Sequence, residues 1–321
     1  MQLKIFSNIT VDHQTAWMYS GVLVLLVLAT ATGQVVKRRA TSDAARPTVE
    51  NLNARIRAWW VMCALFVALL PIGKVGPVAL FGVASFLALR EFITLTLTRS
   101  SDHRSLFWVF FVITPLQYIL VGMEWFGLFG ILIPVYAFLL IPTRNAIAGD
   151  HEHFLERTAE IQWGLMVCVY CVSHAPALLV LRIPGYEGQN AKLLFFLVLV
   201  AQISDVLQYT WGKWLGKSKI APHISPNKTW EGFIGGVGCA IFIGTSLWWA
   251  TPFNPWQAAG MSLAITLTGF AGGLTMSAIK RDRGVKDYGT LIGGHGGMMD
   301  RIDSICFAAP VFFHLTRYFF T

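Results

Sequence analysis

Long apolar runs recur along the whole chain, and they constrain its fold more than any other feature. About ten runs are long enough to be membrane spans: 16–36, 58–73, 76–97, 106–123, 125–142, 161–181, 191–212, 232–250, 257–279 and 303–320. A helix of roughly 20 apolar residues crosses the hydrocarbon core of a bilayer. A β-barrel would instead alternate apolar and polar residues along short strands, which these runs do not do. Only 13% of the residues are charged, against about 25% in soluble domains. The sequence therefore predicts an all-α polytopic integral membrane protein.

The number of spans depends on how residues 58–97 are interpreted. Pro71, Gly73, Gly76 and Pro77 interrupt this region, and Lys74 is the only charged residue between the two runs. Two separate spans give a total of ten, whereas one broken element gives nine. Both counts stay open at this point.

The distribution of Lys and Arg predicts the orientation. The loop at 37–57 carries six basic residues, so it is expected in the cytoplasm and the N-terminus outside. Alternation then places 98–105, 143–160, 213–231 and 280–302 in the cytoplasm, while the intervening loops 122–125, 182–190 and 251–256 hold a single basic residue between them, Arg182. The net charge of +8 is spread over many loops, which favours contact with anionic membrane lipids and not with nucleic acid. We expect a bacterial inner membrane protein.

Small residues recur every four positions in two of the runs. Gly232, Gly236, Ala240 and Gly244 do so in one run, and Gly269, Gly273 and Ser277 in the next. Small residues at this spacing let helices approach closely. The pattern would serve packing within the chain and a homodimer equally well.

The segment 277–303 holds the densest concentration of polar chemistry. Asp300 and Asp303 are three residues apart, so on a helix they project from one face, and they repel each other unless a cation lies between them. Asp287 lies across a glycine-rich turn that could fold back toward them, and three carboxylates with open positions suit Mg²⁺. The segment also supplies cations for phosphates or an anionic lipid headgroup, namely Lys280, Arg281, Lys286 and Arg301. Glycines surround His295, and their N–H groups could approach a phosphate. These glycines are Gly293, Gly294, Gly296 and Gly297. An ordinary positively charged loop explains the Lys and Arg residues but not the interleaved Asp and Gly.

Three further features accompany this segment. Residues 225–229, Ser-Pro-Asn-Lys-Thr, read as a rigid turn that could grip a phosphate or nucleotide. Asp205 lies inside the seventh run, where a carboxylate is costly and usually functional; the alternative is a helix-to-helix hydrogen bond through Ser204 or Gln208. Glu91 lies inside the third run, where a local ion pair with Arg90 is equally compatible with the sequence.

These residues resemble the signature of the phosphatidate cytidylyltransferase (CDP-diacylglycerol synthase) family. The resemblance covers 200–303, with a fainter match around Arg90, Glu91 and Phe92. In order and spacing, the matching residues are Ser277, Lys280, Arg281, Lys286, Asp287, Gly289, Ile292, Gly293, His295, Gly296, Gly297, Asp300, Arg301, Ile302 and Asp303, together with 222–232 and the approach formed by Asp205, Tyr209 and Gly212. Gly293 stands where many members have Pro, and Gln208 where many have a small residue.

The resemblance implies transfer of the cytidylyl group of CTP to phosphatidic acid, which gives CDP-diacylglycerol and pyrophosphate. It implies that Asp287, Asp300 and Asp303 hold one or two cations, Mg²⁺ among them, with Asp205 contributing from within the bilayer. Ser225, Asn227, Lys228 and Thr229 would grip the nucleotide. Lys280, Arg281, Lys286 and Arg301 would bind phosphates, as would His295 and Gly296.

Other activities stay open on the sequence alone. They are a cytidylyltransferase or a CTP-dependent kinase for another membrane lipid, a paralogue that binds nucleotide without turnover, and a transporter. A transporter should show paired broken helices in related halves, whereas the chemistry here is confined to one half. We accordingly divide the chain into a scaffold at 1–190 and a catalytic membrane part at 191–321, with the cytoplasmic loops 213–231 and 280–302.

Overall fold

The computed structural model describes residues 13–39, 46–69, 73–291 and 296–321. These residues form ten long helical segments and one 3₁₀ turn at Trp248–Ala250, and each of the ten long segments overlaps one of the ten predicted spans. The segments are α1 His13–Arg39, α2 Arg46–Leu69, α3 Val75–Ile93, α4 Ser100–Gly122, α5 Phe126–Ile147, α6 Phe154–Val180, α7 Asn190–Leu215, α8 Trp230–Ser246, α9 Pro255–Asp282 and α10 Met299–Phe320. Segments α4, α5 and α6 each contain a π-helical turn. A small antiparallel hairpin of β1 Lys219–Ala221 and β2 Ser225–Thr229 connects α7 to α8.

Seven of the segments in the described residues are long and apolar enough to cross a membrane, namely all except α2, α8 and α10. The prediction of a helical integral membrane protein is therefore confirmed, whereas the count of ten spans stays a prediction. Segment α2 is described to Leu69 and α3 begins at Val75, so two separate spans and one broken element at 58–97 both stay open.

The helices differ in how much protein surrounds them. Within their apolar windows, α6 is 72% buried and α1 only 6%. Segment α6 is therefore the central helix of the bundle. Segment α1 packs mainly on α2, where Trp60 donates a hydrogen bond to Thr30 at 3.0 Å and Asn53 donates to the carbonyl of Gly33 at 3.3 Å.

The small residues of α8 lie at close helix contacts, as their spacing predicted, whereas the closest glycine contact of α9 is made by Gly272, which is not in the predicted series. A Cβ on Gly236 would lie 2.5 Å from the amide nitrogen of Gln208 in α7. A Cβ on Gly272 would lie 2.5 Å from the carbonyl oxygen of Asp303 in α10. The backbones therefore touch, and these glycines serve packing within the chain.

Contacts between loops separate the two ends of the bundle. At one end, Arg99 pairs with Glu152 and Arg283 with Glu160. At the other end, Glu124 pairs with Lys74 at 2.6 Å and with Arg182 at 3.2 Å, and the Lys74 hydrogen bond is the main reason that the pKa of Glu124 is lowered. The residues in these contacts fall into two sets that agree with the charge pattern, while the orientation stays a prediction.

Candidate active site

Side chains from α7, α9, α10 and the hairpin converge at the end of the bundle where residues 283–291 and 296–298 lie. The Lys228 Nζ atom is 3.2 Å and the Asp303 Oδ2 atom 3.8 Å from the point that a Cβ on Gly273 would occupy. Lys228 Nζ also lies 4.4 Å from the centre of the Phe270 ring. An ammonium group and a carboxylate thus face the same small space over Gly273, and a side chain at position 273 would fill part of it.

Asp205 belongs to the same group of charges. Its carboxylate is within electrostatic range of the carboxylate of Asp303 and of the cations of Lys228 and Arg301. Gln208 donates its hydrogen bond to Ser204, at 2.8 Å. The predicted proximity of Asp205 to the last helix is therefore present.

Asp300 has both carboxylate oxygens engaged by the protein. Its Oδ1 atom lies 2.7 Å from Lys280 Nζ. Its Oδ2 atom accepts hydrogen bonds from the backbone amides of Tyr288 and Gly297, each at 2.9 Å. Asp300 therefore ties the end of α9 and the backbone at residues 288 and 297 to the first turn of α10. Its position in the sequence did not predict this structural task.

Gly296 brings two of the predicted carboxylate residues together. Its φ of +78° belongs to the left-handed region, which favours glycine. A Cβ there would lie 2.6 Å from Asp300 Oδ2 and 3.1 Å from the Cβ atom of Asp287. Asp287 itself is exposed next to Asp300. The amide of Gly297, for which the sequence predicts a phosphate contact, instead donates a hydrogen bond to Asp300.

Residues 225–229 form strand β2 and not the predicted turn, which lies at 222–224. Thr229 is buried, and its Oγ1 atom accepts a hydrogen bond from the amide of Gly232 at 3.1 Å, so it caps α8. Arg281 donates to the carbonyl of Ile224 at 3.3 Å and thereby holds the tip of the hairpin against α9. Asn227 is exposed, whereas Lys228 is mostly buried.

Burial lowers the pKa of Lys228, and the charges of Asp205 and Asp303 oppose this change. Burial disfavours the charged form of a lysine. An anion that entered the space over Gly273 would restore the preference for the ammonium form.

Glu91 makes a contact with the start of α10 that the sequence did not predict. Its carboxylate accepts hydrogen bonds from the amides of Met298 and Met299, each at 2.9 Å. The interpretation of Glu91 as half of a local ion pair with Arg90 is thus not what the structure has. The partners are more than 200 residues apart, and only the fainter family match around residues 90–92 singled out this position.

Three of the remaining predicted residues lie in the described part of the chain, namely Lys286, Ser225 and Arg301. Lys286 is exposed and Ser225 is half-buried on the hairpin. The carbonyl of Arg301 accepts a hydrogen bond from Gln202 at 3.2 Å. His295, Gly293 and Gly294 lie outside the described residues. The functional roles of all these residues stay predictions.

Residues 53–319 match the sequence profile described as "Cytidylyltransferase family". The chain belongs to the cytidylyltransferase family. The match includes every predicted site residue and crosses the boundary that we placed at residue 190. The family resemblance predicted from the motifs is therefore confirmed, while the division into two domains stays a prediction.

Three relatives of this cytidylyltransferase family protein define how far the similarity extends. A protein of Escherichia coli (strain K12) named "Uncharacterized protein YnbB" is 41% identical over 274 residues, which cover 84% of this chain and 88% of the relative. The phosphatidate cytidylyltransferase of Mycobacterium leprae is 39% identical over 173 residues, or 53% of each chain. That of Staphylococcus aureus (strain COL) is 41% identical over 130 residues, or 39% of this chain and 50% of the relative. The similarity thus spans about half the length of these two named enzymes.

The cytidylyltransferase site offers a partial ligand set for a divalent cation. Across the described part of the chain, no three His, Cys, Asp or Glu side chains are grouped so that they could hold a metal ion. The carboxylates of Asp205 and Asp303 are nevertheless close enough to interact. Mg²⁺ is commonly bound by one or two carboxylates together with water and substrate phosphates. The pair fits such a cation, whereas Asp300 has both oxygens already bound.

Proposed function

We propose that this protein transfers the cytidylyl group of CTP to phosphatidic acid, giving CDP-diacylglycerol and pyrophosphate. The observation that carries the proposal is the group of Lys228, Asp205 and Asp303, with the ion pair of Lys280 and Asp300 next to it, at one end of a membrane bundle. This arrangement offers cations for phosphates and carboxylates for a metal ion, within reach of a lipid headgroup. The named relatives, which are phosphatidate cytidylyltransferases, support the same reaction.

The reaction requires two anions to meet. An oxygen of the lipid phosphate attacks the α-phosphorus of CTP, and the bond between that phosphorus and the bridging oxygen of the β-phosphate breaks. The attacking oxygen is already anionic near neutral pH, so no strong base is needed. Lys228, in the space over Gly273, lowers the repulsion between the two anions, and Lys280 contributes a second positive charge from its position beside Asp300. Fixed charges of this kind stabilise the transition state because they need no reorganisation.

Asp205 and Asp303 would hold Mg²⁺, and Asp287, exposed beside Asp300, would serve a second cation. When bound, a divalent cation would neutralise charge on the phosphates of CTP. Asp300 would support the site mainly by fixing Lys280 and the backbone at residues 288 and 297. This assignment narrows the expectation that all three aspartates of the signature are metal ligands.

The hairpin and the loop would recognise the nucleotide and the lipid. Ser225 and Asn227 would contact CTP from β2, next to Lys228. Lys286 and Arg301 would bind phosphates at the mouth of the site. Arg281 and Thr229 would act through the hairpin, because one holds its tip and the other caps the helix that follows. His295 and Gly296 would complete the phosphate contacts.

The topology follows from the charge pattern. We propose that all ten helical segments span a bacterial inner membrane, with the N-terminus outside and the site at the cytoplasmic face. The candidate site lies on the same end as the loops rich in Lys and Arg, which supports this orientation. CTP would enter from the cytoplasm and the lipid from the bilayer.

A second candidate is a cytidylyltransferase for a different lipid phosphate. It is favoured because the relative that matches 84% of this chain carries no named activity, whereas the named phosphatidate cytidylyltransferases match 35–53% of it. The reaction would be the same and the lipid would differ.

An assay of the purified protein in lipid nanodiscs separates the candidates. The protein is incubated with Mg²⁺ and with CTP that is labelled in the cytosine and in the γ-phosphate. The lipid substrate is either phosphatidic acid or a polyprenyl phosphate. The proposal predicts labelled CDP-diacylglycerol and an equal amount of labelled pyrophosphate with phosphatidic acid. Product only with the other lipid phosphate would favour the second candidate. In a parallel reaction with a lipid alcohol such as a polyprenol, release of CDP with the γ-phosphate label on the lipid would indicate a kinase. Absence of all products would contradict transfer activity.

A further inference from the structure

The contact between α3 and the first turn of α10 lies next to the candidate site but outside the residues assigned to it. The two carboxylate oxygens of Glu91 accept from consecutive backbone amides, Met298 to Oε1 and Met299 to Oε2. These amides belong to the start of α10 and have no partner within the helix. A negative charge at this position also interacts favourably with the helix dipole. Glu91 therefore fixes both the position and the direction of the first turn.

Two glycines leave the space that the Glu91 carboxylate occupies. A Cβ on Gly289 would lie 2.8 Å from Glu91 Oε1, and a Cβ on Gly297 would lie 2.5 Å from Glu91 Cδ. Neither glycine has the left-handed backbone that would by itself require glycine. The close approach of Glu91 is thus a physical reason for glycine at both positions.

Asp300 and Asp303 follow this contact within the next turn of α10. Asp300 immediately follows Met299, and Asp303 is one turn further on the same face. Lys228 and Lys280 reach the site from other elements, β2 and α9. The distance between these cations and the two carboxylates therefore depends on where α10 begins.

We infer that Glu91 is a positioning residue for transfer, which holds the start of α10 so that Asp300 and Asp303 face Lys228 and Lys280. The inference rests on the proposed function for its catalytic consequence. It gives the scaffold part of the chain a role in arranging the active site. Glu91 touches neither CTP nor lipid in this assignment, and it acts through the backbone of residues 298 and 299.

Glu91→Gln tests the inference, because glutamine offers one acceptor oxygen where two amides need one each. We expect kcat to fall about 100-fold, as a displacement of about 1 Å can cost that much, with a smaller change in the KM for CTP. Hydrogen exchange of the peptide that contains residues 297–300 should become about tenfold faster, because a hydrogen bond to a charged group is lost. Arg90→Gln is the matched control, since Arg90 is exposed on the same helix. It should change neither quantity.

Gly297→Ala perturbs the same contact from the opposite side. The added methyl group should expel the Glu91 carboxylate and reproduce the slow turnover and the faster exchange. In a Glu91→Ala background the space is free, so the Gly297→Ala substitution should then cost much less than it does in the wild type. Such non-additivity identifies residues that act through one contact. Residues with independent structural roles would give additive losses.

Exchange across the rest of α9 and α10 separates positioning from general destabilisation. A local role predicts faster exchange only around residues 297–300, whereas a general loss of stability would raise exchange throughout both helices. Wild-type exchange and a kcat within about twofold in Glu91→Gln would overturn the inference. If the wild-type protein formed no product with any lipid, the proposed function would fail, but the exchange measurements would still test the placement of α10.

Discussion

Lys280 and Asp300 form a buried ion pair in which Nζ lies 2.7 Å from Oδ1, and their side chains are only 12% and 5% exposed. Replacing one partner leaves the other charge without compensation in a poorly solvated place. We expect Lys280→Met to lower the free energy of unfolding by about 3–5 kcal/mol. Thermal unfolding in detergent measures this, with the exposed Lys286→Met as the control. Equal melting temperatures for the two variants would contradict the structural task of the pair.

Asp303→Asn should reduce turnover by at least about 100-fold, because it removes a proposed metal ligand and a charge that faces Lys228. Asp282→Asn is a suitable control, since the side chain of Asp282 is 72% exposed at the end of α9. Turnover at several Mg²⁺ concentrations tests the assignment. Near wild-type activity of Asp303→Asn at saturating Mg²⁺ would show that this carboxylate does not hold the metal.

Lys228 should give the reaction an alkaline limit below the ordinary lysine pKa of 10.5, because burial lowers its pKa. As the pH rises through the lowered pKa, the ammonium loses its proton and with it the charge that attracts phosphate. The loss should appear in kcat/KM, which reports the free enzyme. Lys228→Arg stays charged and should shift the limit to higher pH. An unchanged limit in this variant would assign the titration to another group.

Gly236→Ala should destabilise the protein, because a Cβ at this position would lie 2.5 Å from the backbone of Gln208 and would push α7 and α8 apart. Gly238 lies in the same helix, and a Cβ at that position would point into open space. Gly238→Ala should therefore be neutral or slightly stabilising, since alanine favours the helix by roughly 0.5–1 kcal/mol. Melting temperatures of the two variants provide the comparison. Equal effects would mean that the helix contact tolerates a methyl group.

Arg157→Met should lower the melting temperature by several degrees. Arg157 is 1% exposed and lies between Asp150, at 2.8 Å, and the fully buried Asp102, at 3.6 Å. Its hydrogen bond is the main reason that the pKa of Asp150 is held below the usual range. The stabilisation is therefore present above the ordinary pKa of an aspartate and is lost as the pH falls through the lowered value. The difference from wild type should thus persist at mildly acidic pH. The exposed Arg104→Met should have little effect.

Local sequence patterns were enough to predict the helices. Each apolar run produces a helix because a bilayer leaves backbone groups no other partners. The glycines at four-residue spacing predicted a close helix contact at α8, but not that α7 is its partner. The β-hairpin was not predicted. Its strands are polar and short, and their pairing is set by the helices on either side, where Glu231 accepts hydrogen bonds from the amides of Lys217 and Ser218.

The site was predictable where its residues are close in sequence. The spacing of Asp300 and Asp303 predicted one helix face, and the motif around Lys228 predicted a partner segment. The hydrogen bonds that occupy Asp300 and the contact of Glu91 with Met298 were not predictable. Both depend on which helices become neighbours. The sequence position of a carboxylate does not indicate whether it will face a ligand or a backbone amide.

The close contact between α7 and α8 has a consequence for how substrates are selected. The amide of Trp230 donates to the carbonyl of Ser218 at 2.9 Å, so the base of the hairpin is closed by the helices that carry it. A segment anchored in this way has little freedom to swing. Recognition at Lys228 would then use a hairpin that is already in place, so that the fit of a substrate is decided when it enters.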